Sequence, residues 1–383
     1  MTIQTPTLLE MMHQLIAMPS ISCTDLTLDQ GNRAVIDALA EWSQQLGFNA
    51  EIQALNATGS KANLIATIGS GQGGLVLAGH TDTVPFDQGD WRFDPFSLTE
   101  VDNRLYGLGT ADMKAFFALI IEAIRELDLA QLRQPLIILA TADEETSMSG
   151  ARALQASHLS GARFVLIGEP TGLRPVRMHK GMMMEAIRLT GLSGHSSNPA
   201  LGHSALEAMH KVMTELLAWR QQLQQTYHNA LFEIPQPTLN LGHIHGGDNP
   251  NRICGHCELQ IDIRPLPGMN LADLKLELGA QLQKVLAGSK IDYQIDALLD
   301  GVPALETPAN SKLVKTVERL TGSHAEAVAF STEAPFYDQL GMDAVVLGPG
   351  HIAQAHQADE YLEMTKIKPT VQLIQDLVKQ FCM

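Results

Sequence analysis

The sequence predicts an α/β protein with a mostly parallel central sheet, interrupted by a smaller inserted α+β domain. Short apolar runs alternate with helical patterns over roughly the first 180 residues and again from Gly301, which is the order of βα units. Between these regions the order becomes strand-helix-strand-strand-helix-strand, a split βαβ arrangement. A chain of 383 residues also exceeds what a single core usually holds. The expected division is a discontinuous domain of residues 1–180 and 299–383, with an insertion at 181–298.

Residues 7–18 carry Leu8, Leu9, Met12, Leu15 and Ile16 at helical spacing, and residues 32–46 form a second helical pattern stopped by Gly47. Strands are expected at 50–54, 62–68 and 74–78, then a loop over 90–109 and a long apolar helix over 111–127. Residues 135–142 read as a buried strand, 149–155 as a helix and 164–167 as a strand. In the insertion, strands are expected at 182–190, 238–244, 252–263 and 290–295, and helices at 204–219 and 271–286. Beyond it the expected elements are helices at 310–320, 334–340 and 366–381 and strands at 324–329 and 344–347.

The formal charge of −16 argues against a nucleic-acid or anionic-membrane partner. No run approaches the length of a membrane span, and Met1-Thr2-Ile3-Gln4-Thr5-Pro6 lacks the basic and apolar regions of a signal peptide, so a cytoplasmic location is expected. Cys23, Cys254, Cys257 and Cys382 are too few and scattered for a disulfide framework. Cys254-Gly255-His256-Cys257 is a lone C-x-x-C at the start of an alternating segment, not at a strand-to-helix turn, and His243 and His245 lack a third metal ligand, so neither group is read as a redox or metal site.

The chemistry gathers where predicted strands end. The run Leu75-Val76-Leu77-Ala78-Gly79 ends in His80, and Asp82 follows two residues later. Residues i and i+2 of an extended chain point the same way, so Asp82 is expected to accept the second ring N–H of His80, as behind a metal-bound histidine. Taken alone, the pair is equally a solvated loop histidine and an unrelated aspartate. Asp112, Glu144, Glu145 and Glu169 follow other predicted strands or loops, and His356 lies near the C-terminus. Imidazole and carboxylate together suit zinc, and these residues are too many for one tetrahedral ion. They suit two ions sharing one carboxylate. Glu144 and Glu145 are adjacent, so their side chains diverge: one can hold metal while the other stays free as a general base. The alternative is a solvated acidic turn.

Gly79-His80-Thr81-Asp82-Thr83-Val84-Pro85, Gly107-Leu108-Gly109-Thr110-Ala111-Asp112-Met113-Lys114, Asp143-Glu144-Glu145 and Gly168-Glu169-Pro170-Thr171 resemble the co-catalytic zinc aminoacylase and carboxypeptidase family, which includes succinyl-diaminopimelate desuccinylases. The likeness extends along nearly the whole chain through Asp262-Ile263-Arg264-Pro265, Thr332-Glu333-Ala334-Pro335-Phe336 and Gln354-Ala355-His356-Gln357. Ala115 departs from the glycine that often follows the lysine. The resemblance implies a zinc-peptidase-like catalytic domain and a ferredoxin-like inserted domain that forms a homodimer. It implies two zinc ions, replaceable by cobalt, and a small N-acyl amino acid substrate whose amide is hydrolysed. It places His80 and Glu169 on one ion, Glu145 and His356 on the other, and Asp112 between them, with a cis peptide after Asp112. Glu144 becomes the general base, Asp82 the residue orienting His80, and His195 an oxyanion stabiliser reaching the other subunit's site. Arg264 suits a substrate α-carboxylate, Asn251 a further substrate contact, and Glu333 a cationic substrate side chain. A desuccinylase, a broader aminoacylase and an inactive metal-binding dimer are the competing readings.

Overall fold

The computed structural model describes residues 5–87 and 89–383; Met1–Gln4, part of the stretch read for a leader segment, lies outside the described residues. The chain divides into two compact units. One comprises Met1–Arg177, Thr307–Glu326 and Thr332–Met383; the other comprises Met178–Glu306 and Ala327–Ser331. The sequence set the insertion at 181–298.

The first unit is built on a mixed sheet. Its strands lie in the order Asn49–Ala54, Ala62–Ile68, Leu136–Thr141, Leu75–His80, Phe164–Ile167 and Asp343–Val346. Ala62–Ile68 runs antiparallel to its neighbour on either side, whereas the last four strands are mutually parallel. The parallel strands are short, wholly or largely buried and rich in Leu, Val and Ile, as a sheet covered on both faces requires. Their register aligns the ends that matter: His80 pairs with Thr141, and Ala78 with Ile167. The residues that leave these strands therefore emerge at one edge, the usual ligand side of an open α/β sheet.

Helices Leu8–Ile16, Arg33–Gln45, Lys114–Arg125 and Ile367–Cys382 contribute to the core of this unit. Lys114–Arg125 is buried around almost its full circumference, and its apolar sequence Ala115-Phe116-Phe117-Ala118-Leu119-Ile120-Ile121 matches a helix enclosed on all sides. Thr7 and Glu10 form a reciprocal capping box at the start of Leu8–Ile16. That device is worth about 1 kcal/mol. Among the described residues, no helix is long and apolar enough to cross a membrane.

The second unit is a four-stranded antiparallel sheet in the order Thr238–Gly246, His256–Arg264, Met183–Thr190, Asp292–Ala297. Helices Ala205–Thr226 and Leu271–Leu286 pack with it around Ile187, Leu216, Trp219, Leu259, Ile261 and Leu278. In His256–Arg264 every second residue is buried, the pattern of a strand with one face on a core. Its start falls four residues later than the sequence suggested, because residues 252–255 follow the 248–251 turn with only an isolated bridge from Arg252 to His195 before pairing with Met183–Thr190 begins at His256.

Several short strands escape sequence patterning. Thr99–Val101, Arg104–Tyr106 and Tyr361–Glu363 make a three-stranded antiparallel sheet in the region read as a loop and near the C-terminus. Three residues are too few to display a period of two.

Candidate metal centre

The structure brings His80, Asp112, Glu144, Glu145, Glu169 and His356 together in the first unit. His80 ends its strand, and its Nε2 lies 3.0 Å from Asp112 Oδ1 and 3.8 Å from Glu169 Oε1. The other Asp112 oxygen, Oδ2, lies 3.5 Å from His356 Nε2, which in turn is 3.0 Å from Glu145 Oε1. Asp112 thus turns one oxygen toward each histidine. Two triads, His80 with Asp112 and Glu169, and Asp112 with Glu145 and His356, each place candidate ligand atoms within 4.8 Å of one another. Glu144 belongs to neither; it groups with His80 and Glu145. The peptide bond between Asp112 and Met113 is cis.

Asp82 differs in detail from its expected geometry. The ring Nδ1 of His80 donates to the backbone carbonyl of Asp82 at 3.0 Å, while the nearer carboxylate oxygen is 3.7 Å away. A carbonyl only accepts, so Nδ1 carries the proton and Nε2 is left to face Asp112 and Glu169, the orientation a ligating imidazole needs. The Asp82 carboxylate is engaged elsewhere. Its two oxygens accept the backbone N–H groups of Glu144, at 3.2 Å, and Glu145, at 3.1 Å. The Asp82 carboxylate thus meets the returning 143–145 segment rather than the ring.

That segment is fixed from its other side as well. Asp143 adopts a left-handed conformation and accepts from Ser22, Lys61 and Ser149. Lys61 also pairs with Asp29 at 2.8 Å. Adjacent glutamates held at both backbone N–H groups, in a tied turn, have little freedom to exchange roles.

The electrostatics are those of crowded buried acids. Burial pushes the Glu144 carboxyl well above the usual range, and the Glu169 charge adds to the shift. Burial does the same to Glu169, reinforced by Asp112. Burial acts to lower His80, but Glu169, Asp112 and Asp82 together carry it well above an ordinary histidine. Glu169 Oε1 is buried without a hydrogen-bond partner. Carboxylates packed this closely call for compensating positive charge, and a donor set of two imidazoles and three carboxylates fits a pair of divalent cations.

Of the remaining expected residues, His195, Asn251 and Arg264 belong to the second unit and Glu333 to the first. His195 is exposed in the second unit, and its Nδ1 accepts from the Ser197 hydroxyl at 2.7 Å. The carbonyl of Asn251, also exposed, accepts from Ser196 N at 3.0 Å, so these two candidates are neighbours. Arg264 is half-buried and its Nε donates to Asp262 at 3.0 Å. Glu333 lies in the first unit, close enough to His80 and Glu169 to interact with their charges. It is 0% exposed, and its oxygens accept from Thr141 Oγ1 and Tyr337 Oη, each at 2.7 Å. Sequence reading passed over Glu360, whose buried carboxylate bonds the backbone on which Asp112 sits. Its partners lie about 250 positions away, and a side chain that binds backbone N–H groups leaves no residue-type pattern.

The model of peptidase family M20/M25/M40 matches residues 76–380. Acetylornithine deacetylase of Proteus mirabilis is 52% identical over 383 residues, covering 100% of this chain and 99% of that protein. A tripeptidase from Staphylococcus aureus has the same fold, with a TM-score of 0.76 at 20% identity, covering 99% of both chains. A Bacillus subtilis protein described as a dinuclear metal binding peptidase from the M20 family superposes with a TM-score of 0.66 at 16% identity, over 97% of this chain and 96% of that one.

Proposed function

The chain belongs to peptidase family M20/M25/M40, and we propose that it is the metal-dependent hydrolase that cleaves N2-acetyl-L-ornithine to L-ornithine and acetate. The observation that carries the chemistry is the carboxylate of Asp112 set between two triads of nitrogen and oxygen donors. The identity with acetylornithine deacetylases over the full chain carries the substrate. In arginine biosynthesis, in the cytoplasm, such a reaction would supply ornithine.

The ions proposed are two zinc ions, replaceable by cobalt, with His80 and Glu169 holding one, Glu145 and His356 the other, and Asp112 shared. Such a pair, when bound, polarises the acyl oxygen and makes a water acidic enough to ionise near neutral pH. The protein's own groups do the rest. Glu144 takes the proton of the attacking water and returns it to the amine nitrogen as the C–N bond breaks. Asp82 holds the backbone of Glu144 and Glu145, which keeps base and ligand apart. Arg264 pairs with the substrate α-carboxylate, and Asn251 offers it a further contact.

His195 stabilises the oxyanion in the site of a second subunit. The support for a homodimer is an open sheet edge: Thr238–Gly246 is an outer strand, exposed over residues 243–245. Mixing inactive His195→Ala with inactive Glu144→Ala should restore partial activity through hybrid dimers that contain one intact site. No recovery after demonstrated subunit exchange would place each complete site in one chain.

A substrate panel with metal-loaded protein tests the function itself. The kcat/KM for N2-acetylornithine should exceed that for N-succinyl-diaminopimelate and for acetylmethionine by more than about tenfold, a preference of roughly 1.4 kcal/mol or more. Equal or faster turnover of the succinyl substrate would make the chain a desuccinylase, and no turnover of any would favour an inactive metal-binding protein.

A further inference from the structure

We propose that Glu360 is a positioning residue, which fixes the shared carboxylate of Asp112 against the segment that carries His356. The proposal rests on the assignment of Asp112 and His356 as metal ligands. Glu360 is only 1% exposed and lies four residues beyond His356. Its Oε1 accepts three backbone N–H groups, from Gly109 at 3.1 Å, Ala111 at 2.7 Å and Asp112 at 3.0 Å. Its own carbonyl accepts from Gly107 N at 3.0 Å. The next residue, Tyr361, opens the strand that pairs with Arg104–Tyr106, immediately before the same turn. Glu360 therefore grips the 107–112 turn at both ends.

Three converging N–H groups form a compact anion-binding concavity, here filled by the chain's own carboxylate. The three bonds converge on one oxygen and hold the turn by geometry, although burial and the Asp112 charge push the Glu360 carboxyl up to about 8. The turn has little slack of its own. Gly109 has φ +88°, and a Cβ there would come within 2.6 Å of Lys114 Cε. Lys114 is itself buried, with its ammonium donating to the Met18 carbonyl at 2.9 Å. With the turn held, the backbone N of Asp112 is set directly by Glu360, and the 3.5 Å approach of Asp112 to His356 follows from one rigid connection. Glu360 is not among the metal-binding triads, so its influence on the reaction passes through Asp112.

The test uses the full chain with Glu360→Ala and Glu360→Gln. Hydrogen exchange of metal-free protein should be at least tenfold faster within residues 107–112 in Glu360→Ala, with the Leu75–His80 strand unchanged. Zinc affinity, measured by competition with a chelator, should fall at least tenfold, and kcat should fall more than KM rises. Glu360→Gln keeps an accepting oxygen but puts an amide donor in place of the second oxygen. It should recover much of each loss yet still exchange at least threefold faster at 107–112 than the unmodified protein, which keeps the test decisive should the alanine variant not fold. Unchanged exchange at 107–112 in both folded variants, or faster exchange spread evenly over the unit, would overturn the proposal. So would faster local exchange with unchanged zinc affinity. The exchange arm is independent of the assigned reaction: unmodified protein that binds no zinc would refute the metal reading while exchange still reported on Glu360.

Discussion

Glu144→Ala is expected to lower kcat on N2-acetylornithine by about 10³-fold, within the range that positioned general bases supply, while zinc content stays at the unmodified level. The two expectations separate base from ligand. Glu144 is absent from both triads that contain Asp112, whereas Glu145 lies 3.0 Å from His356. The turn should survive the substitution, because Asp82 bonds the backbone N–H at position 144 and not the side chain. Removing one of several facing buried acids also relieves repulsion, so binding of divalent cations should not require Glu144. Loss of one zinc equivalent in this variant, by elemental analysis, would make Glu144 a ligand and leave the base unassigned.

Much of this site could be read from sequence because strand ends are legible. An apolar run that stops at His80, another followed at once by Glu144 and Glu145, and a third followed by Glu169 place acids and a histidine at one sheet edge without any knowledge of register. The split βαβ order of the insertion was visible in the same way, because its strands and helices are long enough to show their periods. Elements of two to four residues, such as Arg104–Tyr106 and Tyr361–Glu363, carry no period, and with them the connection through Glu360 was hidden. Asp82 illustrates a finer limit. Spacing correctly set it beside His80, but which of its oxygens meets the ring depends on how the 143–145 segment returns, and that is a tertiary fact. The burial of Glu333 is hidden from sequence for the same reason: its contact with Thr141 joins segments nearly 200 positions apart.

The second large effect is expected at Asp112. Replacing it by alanine removes the one carboxylate common to both triads, so both ions lose a ligand. Substituting residues that merely support a ligand typically costs 10–100-fold in metal affinity, and loss of a shared ligand should cost more than about 100-fold. Stability should report the same loss. Ligand present at about 100 times its dissociation constant stabilises a folded protein by about 2.7 kcal/mol, so zinc should raise the unfolding temperature of the unmodified chain and scarcely move that of Asp112→Ala. The central claim is that deacetylation runs on two cations that share Asp112. It is tested most directly by titrating zinc into metal-free protein while following hydrolysis of N2-acetylornithine. The expected result is negligible activity without metal, saturation at two equivalents per chain, and no recovery at those concentrations in Asp112→Ala. Full activity in metal-free protein, or an undiminished zinc response in Asp112→Ala, would contradict it.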